Sequence, residues 1–365
     1  MTENSNYRQS VIFQVAVVPF YRKKFFLNLS SELANICKLI ILTGEQSLNQ
    51  EVKSDNQLRG IMFQNIVSLP FGFYWHQGNL GEIFSCSLLV TDKNPRSLNA
   101  WVNLFLRRIA RRKTYIWGHS KSRTNNTKIS RIAHQAMNFL SSGIFLYTPE
   151  ECANLRTKRK VFVAPNAILL KSECLVDENS ARKNIVYSGR LEKSKDLDKL
   201  IIAFSKSAMQ IKDANLIIIG DGSCRNNLRL LANSLGMGNR IEFLGEISDS
   251  KSLAKIYASA RIAIGPGYGG LNITQANCFG VPIILNKFGQ HAPEIALTKF
   301  KGVFTSDFSC VEDMARSIRL YYEVLDWEIE QRKVLSKNVS ERYNFTNMVE
   351  AFAQEFRAQL EKENY

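Results

Sequence analysis

No apolar run in this 365-residue sequence approaches the roughly 18 residues that a membrane-spanning helix needs. Stretches such as 15–20 and 216–219 stop far short, so no spanning helix is expected. Cysteine is sparse as well. The seven residues (Cys37, Cys86, Cys152, Cys174, Cys224, Cys278 and Cys310) form no CxxC pair, which argues against a zinc ribbon or a disulfide framework. Their odd number fits buried thiols in a reducing compartment. Only four histidines are present, His76, His119, His134 and His291, and no two have the spacing of helix-borne metal ligands. Neither a protein-bound metal nor a cofactor is expected. The polar opening MTENSNYRQS is followed by an apolar run too short and wrongly flanked for a secretory signal, so a cytoplasmic location is expected. Internal repeats and low-complexity tracts are also missing.

Positive charge, by contrast, is abundant. The formal net charge is +15, and residues 1–180 hold 23 Lys and Arg against 12 Asp and Glu, while residues 181–365 hold 25 against 21. The excess therefore belongs to the first half. Such a field attracts anions: nucleic acid, anionic lipid headgroups or phosphorylated substrates. No nucleic-acid-binding module is recognisable, so nucleic acid is not expected as a partner. The length fits two domains of ordinary size, and 45% hydrophobic with 22% charged residues is ordinary for a globular chain.

Strand and helix patterns alternate along both halves. In the first, 11–20 reads as a buried strand, 25–37 as a helix with Phe26, Leu29, Leu33 and Ile36 near a 3.6-residue period, and 38–44 as a second strand. Further strands are expected around 60–67, 83–90 and 114–117. A helix over 98–112 places Trp101, Val102, Phe105, Leu106 and Ile109 on one stripe, opposite a solvated face of Arg107, Arg108, Arg111 and Arg112. In the second half, strands at 184–189, 214–222, 241–245, 261–267 and 281–286 alternate with helices at 196–208, 225–236, 252–260 and 271–279. This grammar implies right-handed parallel βαβ units and an open, doubly wound α/β domain. Residues 165–184 lack a sustained period and read as the linker, and a terminal helix over 345–365 has Met348, Ala351, Phe352, Phe356 and Leu360 on one side. Two Rossmann-like α/β domains, 1–168 and 169–344, facing each other across a cleft, are the simplest architecture.

Open α/β sheets bind ligands beyond the carboxyl ends of their strands. Three such ends carry suitable chemistry. SGRLEKSK (188–195) brings Arg190 and Lys195, two cations on one turn; Gly220, Asp221 and Gly222 end the next strand. GPGYGGL (265–271) then opens a helix whose first N–H groups make an anion site. That glycine-rich run has no charge of its own; its backbone offers donors while Arg190 and Lys195 offer charge. His119 follows the strand at 114–117, where a ligand-facing loop is expected.

The ordered set GRL–x3–K, IxGDG, IxFLG and GL–x3–QA–x3–GVP resembles the nucleotide-sugar domain of GT-B retaining glycosyltransferases of family 4, also called group 1. YIWGHS (115–120), the basic segment after it, and LYTPEE…KVFVAPNA (146–167) resemble that family's acceptor domain and crossover. The resemblance implies two Rossmann-like domains, a terminal helix crossing back to the first, and metal-independent transfer from a nucleotide-diphosphate sugar with retention. Hexosyl transfer to a saccharide or lipid-linked acceptor, in cell-surface polysaccharide or glycolipid synthesis, would follow. It also implies that Arg190 and Lys195 hold the diphosphate, assisted by the N–H groups of Gly270 and Leu271, and that His119 touches the donor sugar. The family commonly has two glutamates eight residues apart here. This sequence has Gly267 at the first position and Gln275 at the second. Gln275 can still hydrogen-bond ribose hydroxyls, since an amide both donates and accepts; Gly267 offers only backbone. His291 with Glu294 could replace part of the absent carboxylate.

Each of these residues has a plainer reading. Arg190 and Lys195 could lie on a solvated turn, the glycines could serve tight helix–sheet packing, Gln275 could be a polar helix residue, and His119 a structural histidine. His291 and Glu294 fit a surface loop. The arginine-rich helix fits either a solvated face or an anionic membrane surface, with YRKKFF (21–26) in the same patch and the inner membrane face as a peripheral location. Besides the transferase, two functions remain open: a non-catalytic subunit binding a nucleotide sugar or saccharide, and an epimerase or hydrolase of the same fold.

Overall fold

The structure, a computed structural model, describes residues 9–47, 52–58, 60–121, 127–178 and 180–364. Its contacts divide the chain into two units, Met1–Pro165 with Phe345–Tyr365, and Asn166–Asn344. Part of the basic segment after His119, residues 122–126, lies outside the described residues.

The first unit runs β1 (Ser10–Val15), α1 (Lys23–Leu33), β2 (Lys38–Thr43), β3 (Ile61–Phe63), β4 (Asn65–Ser68), β5 (Tyr74–Gln77), α2 (Leu80–Ser85), β6 (Leu88–Asp92), α3 (Leu98–Ile109), β7 (Lys113–Trp117), α4 (Lys128–Leu140), β8 (Gly143–Leu146), α5 (Pro149–Ala153) and β9 (Lys160–Val163). Seven strands form a parallel sheet in the order β3-β2-β1-β6-β7-β8-β9, and β4 pairs antiparallel with β5 in a separate ribbon. The strand expected over 11–20 stops at Val15, because the Ala16 N–H leaves the ladder to donate to the Asp92 carboxylate at 2.7 Å. The expected strand at 83–90 is half helix: Ile83 is buried on α2, and pairing with β1 begins only at Leu88. A short apolar run does not distinguish the two states.

The largest departure is α3. Its buried face is Asn99, Ala100, Asn103, Leu104 and Arg107, whereas Phe105, Leu106 and Ile109 are exposed. The expected stripe is thus turned outward. Arg107 is fully buried because acceptors surround it: its guanidinium donates to the carbonyls of Ile83 (2.6 Å), Cys86 (3.2 Å), Ser87 (3.3 Å) and Lys113 (2.9 Å) and to Thr114 Oγ1 (3.0 Å). Asn103 donates to Gln14 Oε1 at 2.7 Å, and Asn99 brackets the His76 backbone through both N–H and C=O. A buried polar face costs little when every group is partnered.

The second unit runs β10 (Asn184–Ser188), α6 (Leu197–Ser207), β11 (Leu216–Ile219), α7 (Arg225–Ser234), β12 (Ile241–Gly245), α8 (Ser250–Ala258), β13 (Ala260–Gly265), α9 (Leu271–Cys278), β14 (Ile283–Asn286), β15 (Val303–Ser306), α10 (Val311–Val324) and α11 (Ile329–Ser340). Its six strands are parallel, in the order β12-β11-β10-β13-β14-β15. Leu216 and Ile218 enter the core on one face, Ile217 and Ile219 that on the other. Cover on both faces explains why these strands read as unbroken apolar runs. The segment expected as a linker belongs to this unit: Leu169 is buried in its core, and Glu173 accepts from the Leu170 N–H (2.8 Å) and Ser250 Oγ (2.9 Å).

The chain ends on α12 (Phe345–Leu360), which buries Met348, Val349, Phe352, Phe356 and Leu360 in the first unit. Phe352 stacks on Phe145 at 4.0 Å and lies 5.5 Å from Phe13 and 5.3 Å from Trp117. Glu355 is buried with it. Burial pushes its pKa up, but hydrogen bonds from Lys160 (2.8 Å), Tyr115 (2.7 Å) and Gln359 prevail and hold the carboxyl below its ordinary value.

Candidate functional site

In the second sheet the chain runs outward from β10 to β11 and β12, then restarts on the other side of β10 with β13. Loops leaving β10 and β13 therefore lie at a topological switch point, the place where open α/β sheets bind ligands beyond their strand ends. The β10 loop carries Arg190 and Lys195; the β13 loop is the glycine-rich run ending at α9.

These loops touch. Lys195 Nζ donates to the Tyr268 carbonyl at 2.9 Å and lies 4.8 Å from the Tyr268 ring centroid. A Cβ on Gly267 would fall 2.6 Å from the Ser194 carbonyl oxygen and 2.8 Å from Lys195 Cα, so no side chain fits there. This backbone approach accounts for the absence of a carboxylate at 267. On the other flank, the β10 loop is laced to Gly220–Gly222 by the Leu191 N–H to the Asp221 carbonyl and the Cys224 N–H to the Leu191 carbonyl, both 2.9 Å. Gly220 has φ +129° and its Cβ would meet the Gly189 carbonyl oxygen at 1.9 Å, so glycine is required there twice over. Asp221 accepts from Arg225 at 2.7 Å and from the Gly222 N–H at 2.8 Å. Arg190 forms an ion pair with Glu192.

The glycine-rich loop is itself braced. His291 Nδ1 accepts from the Gly269 N–H at 3.0 Å and Nε2 donates to the Asn286 carbonyl at 2.7 Å, which fixes one neutral tautomer. Burial, and then Lys195, push its pKa down against the bond to Asn286. The Gly270 N–H, expected to assist the diphosphate, is instead taken by Asn272 Oδ1 at 2.7 Å, and Gly270 has no side chain of its own to cap α9. The anion-accepting end of that helix thus stands beside Lys195 and Tyr268.

Gln275 is buried on α9, and its carbonyl accepts from Ser188 Oγ at 2.5 Å and Tyr257 OH at 3.2 Å. The acceptor half of the amide is therefore engaged within the fold. Glu294 is fully buried and bonded to the Asn166 amide, so the surface-loop reading does not hold for it. His291 and Glu294 do not act as a pair: one braces the loop, the other anchors the start of the unit.

His119 lies in the first unit, 4.8 Å from the Tyr147 ring and with Nδ1 4.0 Å from Glu151 Oε1. Glu151 accepts from the Ser120 N–H (2.7 Å) and the Tyr147 N–H (3.2 Å), and Lys93 Nζ donates to the Ser120 carbonyl at 3.2 Å. Burial brings the Lys93 pKa down to about 8, against the pull of Glu151, and that of neighbouring His134, whose Nδ1 is 3.1 Å away, to about 4. Lys93, Glu151, Tyr268 and Asn272 are the supporting residues that sequence reading misses. Only Tyr268 gave a signal, as the lone aromatic in a glycine-rich loop.

Residues 176–342 match the family of glycosyl transferases group 1. An uncharacterised glycosyltransferase of Haemophilus influenzae is 26% identical over 189 residues, 51% of this chain and 51% of that protein. The chain spans about half or less of the length of the curated relatives it matches. In fold it resembles sucrose-phosphate synthase from Thermosynechococcus elongatus, with TM-score 0.67, 16% identity and coverage of 96% of this chain and 99% of that one. It also resembles HepE of Anabaena, solved in complex with UDP, with TM-score 0.66, 14% identity and coverage of 96% and 100%. The chain has the GT-B fold, and most of its second unit matches the family of glycosyl transferases group 1.

Proposed function

We propose that the protein is a glycosyltransferase that moves a sugar, with retention, from a nucleotide-diphosphate donor to a saccharide or lipid-linked acceptor. The observation that carries this reading is the junction of Lys195 with the β13 loop beside the uncapped end of α9. A departing nucleoside diphosphate gains negative charge in the transition state, and fixed cations and helix N–H groups stabilise that charge without reorganising. Lys195 supplies a held ammonium, Arg190 a guanidinium released from Glu192 on binding, and Leu271 a backbone donor. With charge neutralised by side chains, the chemistry needs no divalent ion. The Gly220–Gly222 turn shapes the wall on the β11 side. Gln275 offers its NH2 to the ribose, and His291 acts by holding the loop. For His119 we propose a hydrogen bond to a sugar hydroxyl.

The test incubates the purified protein with a panel of nucleotide sugars and candidate acceptors and follows released nucleoside diphosphate and sugar product. Lys195→Ala is expected to lower turnover and donor affinity together, since the contact strengthens as charge develops. Undiminished activity in Lys195→Ala would overturn the assignment. One observation favours a second reading, a donor-binding subunit without turnover: both positions where the family resemblance implies glutamate lack a carboxylate, being Gly267 and the internally bonded Gln275. Donor binding with no product from any acceptor would select it.

A further inference from the structure

Two helices of the first unit present to solvent what a water-facing surface does not require. Phe105 (56% exposed), Leu106 and Ile109 (66%) stand out from α3, and Ile129 (80%), Ile132 and Phe139 (64%) from α4. The helices are neighbours, and Arg108 ties the two apolar rows together: its guanidinium sits 4.9 Å over the Phe139 ring and donates to the Phe139 carbonyl at 3.2 Å. Arg159 donates to the same carbonyl at 2.6 Å.

Beside this apolar surface lies a surface cavity of about 180 Å³ lined by Arg108, Arg111, Arg112, Lys113 and Arg159. None of the five forms an ion pair among the described residues. Arg159 is held below its ordinary pKa by partial burial and by the nearby charge of Arg108, so two like charges face one space with no carboxylate between them. Arg111 occupies the left-handed region at φ 56°, where a helix usually ends on glycine, yet an arginine stands there. The surroundings are also one-signed. From Lys93 to Pro149 the sequence has no Asp or Glu and 11 Lys and Arg.

An apolar face rimmed by unpaired arginines matches an interface with anionic lipid: acyl chains take the apolar side chains, and headgroup phosphates take the cations. A second copy of the chain would bring like charge against like charge, and a nucleic acid would leave the isoleucines and leucine in water. We propose that the α3–α4 face rests on an anionic bilayer, with Phe105, Ile109, Ile132 and Phe139 in the headgroup–acyl boundary and a lipid phosphate in the arginine cavity. Independently of any donor chemistry, the outward turn of α3 then has a purpose. Burying Arg107 inside frees the apolar side of the helix for the membrane.

The experiment is co-sedimentation of the full chain with vesicles of equimolar phosphatidylglycerol and phosphatidylcholine, and with pure phosphatidylcholine vesicles. Binding is expected to the anionic vesicles only. Each cation near such a surface contributes about a five-fold gain, so Arg108→Glu with Arg159→Glu should weaken binding at least about twenty-five-fold. Phe105→Ser with Phe139→Ser should abolish the part of the binding that survives high salt. Unchanged thermal unfolding certifies that the variants fold; if a double variant does not, Arg108→Gln and Ile109→Ser replace it. Equal binding to both vesicles, or indifference to both pairs of substitutions, would overturn the proposal. So would tighter binding of duplex DNA, or a dimer dissolved by Phe105→Ser. Inorganic phosphate that stabilises the protein through Arg108 while vesicles do not bind would likewise replace the lipid with a soluble anion.

Discussion

Replacing Gly267 by alanine adds one methyl group where the structure has no room. The new Cβ would meet the Ser194 carbonyl oxygen at 2.6 Å and Lys195 Cα and C at 2.8 Å, against 3.4 Å for ordinary contact. The β10 loop must retreat by about 0.6–0.8 Å, and because the obstructing atoms are backbone, no side-chain rotation relieves the clash. Overpacking of this kind costs about 1–3 kcal/mol in stability, or about 2–12 °C in melting temperature for a domain of this size. The retreat also pulls Lys195 from the Tyr268 carbonyl, a hydrogen bond of 2.9 Å with a charged donor, typically worth about 1.5–3 kcal/mol. Losing that fixed ammonium should raise the dissociation constant of a nucleoside diphosphate by about 10–100-fold. Calorimetric titration with UDP and GDP, beside a melting curve, reads both effects. Gly238→Ala is the control, because its clash is with the mobile end of Asn233. Gly267→Glu should behave like the alanine variant or worse, although it supplies the carboxylate that the family resemblance implies there. Wild-type affinity in Gly267→Ala, or tighter binding in Gly267→Glu, would refute the view that the loop contact excludes a side chain there.

Two further outcomes concern the fold. Arg107→Met should destabilise the protein by about 3–5 kcal/mol, since it strips the donors from a ring of buried carbonyls, whereas Arg108→Gln on the next position should stay within about 0.5 kcal/mol; urea unfolding measures both. His76 is buried and its pKa is pushed down to about 4 from 6.5. Its contribution is intact above pH 6.5, where both states are neutral, and is lost as pH falls toward 4, because only the unfolded chain takes the proton. Over that window His76→Gln should lose less stability than the wild type by up to about 3 kcal/mol, seen as a smaller drop in urea midpoint.

The repeating alternation of strand and helix from residue 184 onward was legible because both faces of β10, β11, β13 and β14 are covered, which makes each strand an uninterrupted apolar run ending in glycine or a polar turn. The carboxyl ends of those strands could likewise be located, and with them Arg190, Lys195 and the 265–271 loop, since parallel topology puts all such ends on one edge. Pattern alone misplaced what depends on a partner distant in sequence. Periodicity assigns a helix two faces but not which of them is inside. For α3 that choice belongs to the carbonyls at the α2–β6 turn and the start of β7, which need a guanidinium more than the core needs Phe105 or Ile109. Gly267 reads as a missing glutamate until the backbone of Ser194 and Lys195 is seen against it, and Gln275 reads as a ligand until Ser188 and Tyr257 are found on its carbonyl. One-dimensional pattern fixes the order of elements and the types of residue at their ends. Hydrogen-bond satisfaction and excluded volume, which act between residues far apart in the chain, decide which of those residues a ligand can reach.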